Sequence, residues 1–289
     1  MMKRIKKILI LIFAITAFAS CEDVIQIKLD EGSKLLVVDA FVNDMRTTQT
    51  IRLTQTDSYF SGQNPPPVTN ATVLLKDLTA NKTYTFINNN NGDYIYIITS
   101  IDTIAFVNHT YELNVNYDGQ TYTSISKQKR STVIDSITYT FREKNSFSEE
   151  GWYCKFWAFD PAGPDPDYYW VRAYKNGVFF NKGSEINLAF DGAYSAGADG
   201  FIFIPPIAEA ITPFGELYDF GDVCRVEIHS ISRETYFFLY QVQTQTTNSG
   251  LFATTPENVR TNIISPEGAT KAIGWFNMAT VGALNQTIN

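Results

Sequence analysis

Residues 35–42 (LLVVDAFV) form an apolar run broken only by Asp39, and they read as a buried strand. Residues 50–56 then alternate polar and apolar positions, the period of a half-buried strand. Similar patterning returns at 71–78, 82–87, 92–99, 110–117 and 120–125. Residues 88–93 (NNNNGD) and Asp118-Gly119 separate these runs as hairpin turns, because Asn and Gly enter positive φ at low cost. Residues 61–67 end in three prolines, which cannot donate to a ladder, so they predict a loop or an edge. Short strands at this spacing predict an immunoglobulin-like or prealbumin-like β-sandwich over residues 33–127.

A linker rich in Lys and Arg follows, and residues 132–289 read as a second β-rich domain. Its strand-like runs are 132–141, 152–160, 168–174 and 222–230, with Asn176-Gly177 as a tight turn and 181–200 as loop. After Ser232 the period changes. Tyr236, Leu239, Tyr240 and Gln243 share one face of a helix, Ser232 caps it, and Glu234 suits its positive end. The pattern ends near Thr246, and residues 272–280 read as a closing strand. The expected class is therefore mainly β: a sandwich, then a β-rich domain carrying one α-helix.

The first 21 residues, MMKRIKKILILIFAITAFASC, have a different pattern. Four basic residues precede an apolar run over 8–19. That run is short of the ~20 residues of a membrane-spanning helix and fits a secretory signal peptide over 1–20. A cysteine directly after Phe18-Ala19-Ser20 resembles the lipobox of bacterial lipoproteins. The resemblance implies cleavage before Cys21, a diacylglycerol on its thiol, an acylated amine, and a lipid-anchored linker over 21–32. Losing residues 1–20 removes four basic residues and no acidic one, so the net charge moves from −7 to −11. So acidic a body excludes nucleic acid as a partner, since phosphates need a basic face. It also excludes a polybasic grip on anionic lipid. Membrane attachment then rests on the lipid, each buried CH2 contributing ~0.8 kcal/mol.

Charged residues make up 18% of the chain, against a usual ~25%, while 44% are hydrophobic and 14% aromatic. Such a balance suits exported β-proteins better than charged helical bundles. With Cys21 lipidated, Cys154 and Cys224 remain. They read either as a disulfide, stabilising by ~4 kcal/mol through a long closed loop, or as two buried thiols.

Candidate chemistry is sparse. The two histidines, His109 and His229, lie in no HxH, HExxH or CxxC spacing, and no GxSxG, GxGxxG or P-loop is present. No catalytic residue, metal ligand or cofactor is therefore expected. Asp160, Asp165 and Asp167 surround a Pro-rich turn, and Asp219 and Asp222 flank Gly221. Such oxygens suit calcium, but the spacing is not that of an EF-hand, and Asp is common in turns. Trp152, Tyr153, Phe156, Trp157, Tyr168, Tyr169 and Trp170 could stack against a glycan or a peptide. Strand alternation sends them to both faces, so at least one face belongs to a core.

Several stretches carry a family resemblance when taken in order. They are 34–41 (KLLVVDAF), 67–75 (PVTNATVLL) with 92–94 (GDY), 165–174 (DPDYYWVRAY) with Asn176-Gly177, 221–240, and the tail 251–276. Together with the lipobox they resemble a Bacteroidota outer-membrane lipoprotein family known as domain of unknown function 4249. The resemblance implies an outer-membrane address and frequent company with TonB-dependent transporters. It implies no catalytic or binding residues. Glu22-Asp23 resembles the acidic signal that sends such lipoproteins to the cell surface, and Asp102-Thr103-Ile104 and Asp135-Ser136-Ile137 resemble O-glycosylation motifs at Thr103 and Ser136. The expected function is a non-enzymatic surface lipoprotein that assists a TonB-dependent nutrient transporter or binds its ligand. A structural or adhesive lipoprotein is the second reading.

Overall fold

The computed structural model describes residues 32–289 apart from 59–60, 100–103, 147, 164, 191–199, 201, 204 and 251–252. Cys21, Glu22-Asp23 and Thr103 lie outside the described residues. Residues 34–289 make up a single compact unit. The strands are β1 (Leu36–Asn43), β2 (Thr48–Gln55), β3 (Thr72–Asp77), β4 (Lys82–Asn88), β5 (Asp93–Ile97), β6 (Thr110–Tyr117), β7 (Gln120–Lys127), β8 (Ile134–Arg142), β9 (Gly151–Ala158), β10 (Tyr168–Lys175), β11 (Val178–Phe179), β12 (Asn187–Phe190), β13 (Val223–Ile231), β14 (Ala272–Ala279) and β15 (Val281–Thr287). The helices are α1 (Pro205–Glu209) and α2 (Arg233–Thr246). The mainly β class thus holds, with two α-helices among the described residues where the sequence predicted one. α1 has only five residues, too few to show a helical period.

Eight strands run in the order β14-β1-β2-β5-β4-β3-β6-β7. All neighbours are antiparallel except β1 and β14, which lie parallel from Leu36↔Ala272 to Asn43↔Ala279. Residues 272–280, read as closing the second half, thus lie at the edge of the first sheet. The two edges of this sheet approach each other to make a near-barrel. Met278 N–H donates to Ser126 Oγ at 2.9 Å, Gln128 Nε2 to Thr280 Oγ1 at 3.0 Å, and Ile264 bridges to Thr123. Inside, Val38, Ala40, Val42, Ile51, Leu53 and Leu75 are wholly buried. Burying a large aliphatic side chain contributes ~1.5–3 kcal/mol, so one inward face per strand defines this layer.

A second sheet has β10 at its centre, with β13 on one side and β11 and β12 on the other, and β15 beyond β13. The hairpin β8–β9 and α1 cover one of its faces, around Cys154, Phe156, Tyr169, Val226 and Ile228. A third apolar cluster joins Trp170 of β10, Trp275 of β14, and Phe238 and Leu239 of α2. The rings of Phe238 and Trp275 stack with centroids 4.5 Å apart. Ser232 caps α2, its Oγ accepting Thr235 N–H at 3.1 Å, as the sequence predicts.

Candidate functional site

A cleft of about 540 Å³ opens between the outer face of the first sheet and a wall built from β10, β11 and α2. In β1 the even positions fill the core, so Asp39 and Phe41 point outward. Register then places a row across four strands: Trp275 beside Asp39, Asp39 beside Arg52, and Arg52 beside Asp93. The opposite wall carries Trp170, Arg172, Phe179 and Ile186, with Phe238, Leu239 and Val242 from α2.

The charges in this cleft are partnered unequally. Arg52 grips Asp93 with two bonds, Nε–Oδ1 at 2.6 Å and Nη2–Oδ2 at 3.1 Å. This fork holds the Asp93 carboxyl below its usual range. The guanidinium carbon of Arg172 lies over the rings of Trp170 and Phe179, 4.1 and 4.5 Å from their centroids. Among the described residues Arg172 has no ion pair, and its buried Nε has no hydrogen-bond partner. Asp39 also has neither partner among the described residues. Its carboxyl is open to the cleft but crowded by the walls. Lost hydration raises its pKa against the pull of Arg172 and Arg52.

The second sheet explains why Arg172 stands alone. Arg225, Glu227 and His229 alternate onto one face of β13, opposite Tyr174, Arg172 and Trp170 of β10. Glu227 is thus the cross-strand neighbour of Arg172, but other donors fill its oxygens. Arg225 Nε donates to Oε1 at 2.9 Å, and Tyr174 O–H donates to Oε2 at 2.9 Å. His229 Nε2 lies 2.9 Å from Oε2. Burial would raise the Glu227 carboxyl, yet these bonds hold it at about 2. His229 is buried, which depresses its pKa to about 4 despite Glu227, with Arg172 and Arg225 adding to the depression. At neutral pH the imidazole is therefore uncharged, and its Nε2–H donates to the carboxylate.

The residues singled out from sequence lie elsewhere. Cys154 on β9 and Cys224 on β13 are buried free thiols, hydrogen-bonded to each other. That bond and burial hold the Cys154 thiol well above its usual range. Ser136 is half-buried in β8, next to a register shift. His109 Nδ1 meets Asp77 Oδ2 at 2.7 Å. The turn carboxylates other than the exposed Asp165 are engaged by donors and cations. Asp160 accepts from Tyr169 O–H at 2.6 Å, Asp167 pairs with Arg130 at 2.7 Å, and Asp222 pairs with Lys175 at 2.9 Å. Among the described residues no group of three His, Cys, Asp or Glu side chains could hold a metal ion.

Of the seven aromatics, Phe156, Tyr169 and Trp170 are buried. Tyr153 and Trp157 lie under the cations of Arg142 and Lys155. Arg172 and Asp39 were not among the candidates, although each is a charge inside an apolar strand run, in YYWVRAY and LLVVDAFV. No curated protein matches the chain in sequence. The family model described as Domain of unknown function (DUF4249) matches residues 22–284, and the chain belongs to that family.

Proposed function

We propose that this protein is a non-enzymatic lipoprotein of the outer membrane, held by lipid on Cys21 and displayed at the cell surface. In this reading it serves a TonB-dependent nutrient transporter as an accessory or ligand-binding partner. The observation that carries the binding role is the cleft, where two opposite charges without partners face each other between apolar walls. The lipid tether rests on the sequence around Cys21, and the body is too acidic to hold a membrane by charge. We also read the near-barrel as the expected sandwich. Its halves β14-β1-β2-β5 and β4-β3-β6-β7 meet through only two register pairs of β4 and β5. On the same basis residues 33–127 and 132–289 remain the two domains of the proposal, with β14 lent to the first.

Affinity purification of the intact protein from native membranes is expected to recover a TonB-dependent transporter, and purification without one would overturn that partnership. Mass spectrometry of the same preparation is expected to find Met1–Ser20 removed and acyl chains on Cys21. Its mass before and after reduction and alkylation reads whether Cys154 and Cys224 are bridged, and hexose additions read Thr103 and Ser136. A structural or adhesive role is the second reading. It is favoured by a surface hollow of about 440 Å³ edged by Tyr168, Phe190, Tyr236, Phe237 and Tyr240, two of which are exposed. A deletion strain defective in adhesion rather than uptake would favour it.

A further inference from the structure

We infer that the cleft binds a zwitterion of amino-acid or short-peptide size, with its carboxylate on Arg172, its ammonium on Asp39 and an apolar side chain between the walls. The inference rests on the ligand-binding reading above and names the class of ligand.

Charge balance carries the first step. Arg52 and Asp93 neutralise each other in a two-bond fork, which leaves Arg172 and Asp39 as the unmatched pair lining the cleft. The two do not pair with each other. A simple anion would meet Arg172 and leave Asp39 unmatched, and a simple cation would do the reverse. A zwitterion meets both, and meeting both matters where hydration is already reduced.

Geometry carries the second step. The rings of Trp170 and Phe179 approach the Arg172 guanidinium without taking up its N–H groups as hydrogen-bond partners, so those donors stay uncommitted. A guanidinium edge matches the two oxygens of a carboxylate. Between the charges the walls are Phe41, Phe238, Leu239 and Val242, which suit an apolar side chain. The same rings argue against a sugar. Trp170 and Trp275 are only 8% and 5% exposed, the first under Arg172 and the second stacked on Phe238. Neither indole offers the cleft the open face on which a pyranose would stack. The volume of about 540 Å³ lies within the ~300–1,000 Å³ of small-molecule sites.

Isothermal titration calorimetry of the detergent-solubilised full chain tests this. The probes are phenylalanine, leucine and Leu-Leu-Leu, each also N-acetylated or C-amidated, with maltohexaose as a neutral glycan. At least one free zwitterion is expected to bind, and either cap is expected to weaken it by about tenfold or more. In Arg172→Gln the free and amidated forms should bind alike, and in Asp39→Asn the free and acetylated forms should. Arg172→Lys keeps the charge and guards against a folding defect, and the capped ligands need no variant. Equal binding of the free form and either capped form would overturn the inference, and so would no binding by any amino acid or peptide probe. Maltohexaose binding that is lost in Arg172→Gln would overturn it too, while leaving a ligand-binding role for the cleft. Recovery of a transporter from membranes is a separate measurement, so failure of one proposal is not failure of the other.

Discussion

His229 and Glu227 tie the stability of the fold to pH, and both act with the same sign. The folded state holds His229 at about 4, below its ordinary 6.5, because burial penalises the imidazolium. An unfolded chain takes up this proton as pH falls below about 6.5, while the folded chain refuses it until about 4. Stability from this group is therefore present above that window and lost through it. Glu227 is held at about 2, below its ordinary 4.5, so its contribution is lost only as pH falls further. Urea midpoints are expected to fall from pH 6.5 to 4. His229→Gln, which retains an N–H donor, should lessen that fall by roughly 3 kcal/mol at pH 4. Parallel pH profiles for the two proteins would refute the assignment. At this scale the sequence shows which residues are charged within apolar runs, but not which charges find partners. Arg172 and Arg225 sit in similar strand contexts. Register sets Glu227 opposite Arg172, but Arg225 of the same strand, with Tyr174 and His229, takes the Glu227 oxygens and leaves Arg172 over rings.

Among elements, those with a long clear period were legible and the short ones were not. β1 to β10, β13, β14 and α2 fall within a few residues of the pattern that predicts them. β11 has two residues and β12 four, too few to establish alternation, and α1 is one turn. β15 alternates buried and exposed positions weakly, and its small and polar residues carry little hydrophobic signal. The Asp118-Gly119 and Asn176-Gly177 turns were legible because all four residues adopt the positive φ that such pairs favour. Gly274 was not. It lies in mid-strand at φ +110°, where a Cβ would run into the carbonyl of Val38 on the neighbouring strand. Gly274→Ala is expected to destabilise by more than about 2 kcal/mol. Gly177→Ala, which meets only strain in φ and no neighbour, should cost about 1 kcal/mol. Equal urea midpoints for the two variants would show that the close approach of β14 to β1 is not limiting.

At the scale of the whole molecule, what the sequence hides is which strand pairs with which. A strand's own residues tell its faces and not its neighbour, and β14 reaches β1 across more than two hundred residues of chain. The cleft was invisible for the same reason, since its two walls come from strands and a helix distant in sequence. This crossing makes a thermodynamic prediction. Because β14 completes the first sheet while Trp275 and Phe238 bind it to α2, calorimetry of the folded body should show one unfolding transition. Two separable transitions would mean that the shared strand does not couple the halves. The parallel pairing of β1 also has a mechanical consequence. Tension applied to the chain just before Leu36, as the proposed lipid anchor would apply it, runs along β1. Eight parallel register pairs with β14 and the antiparallel pairs with β2 lie along that line of pull. Their hydrogen bonds must slide together in shear instead of parting one at a time, which is the stiff direction for a load applied at that end.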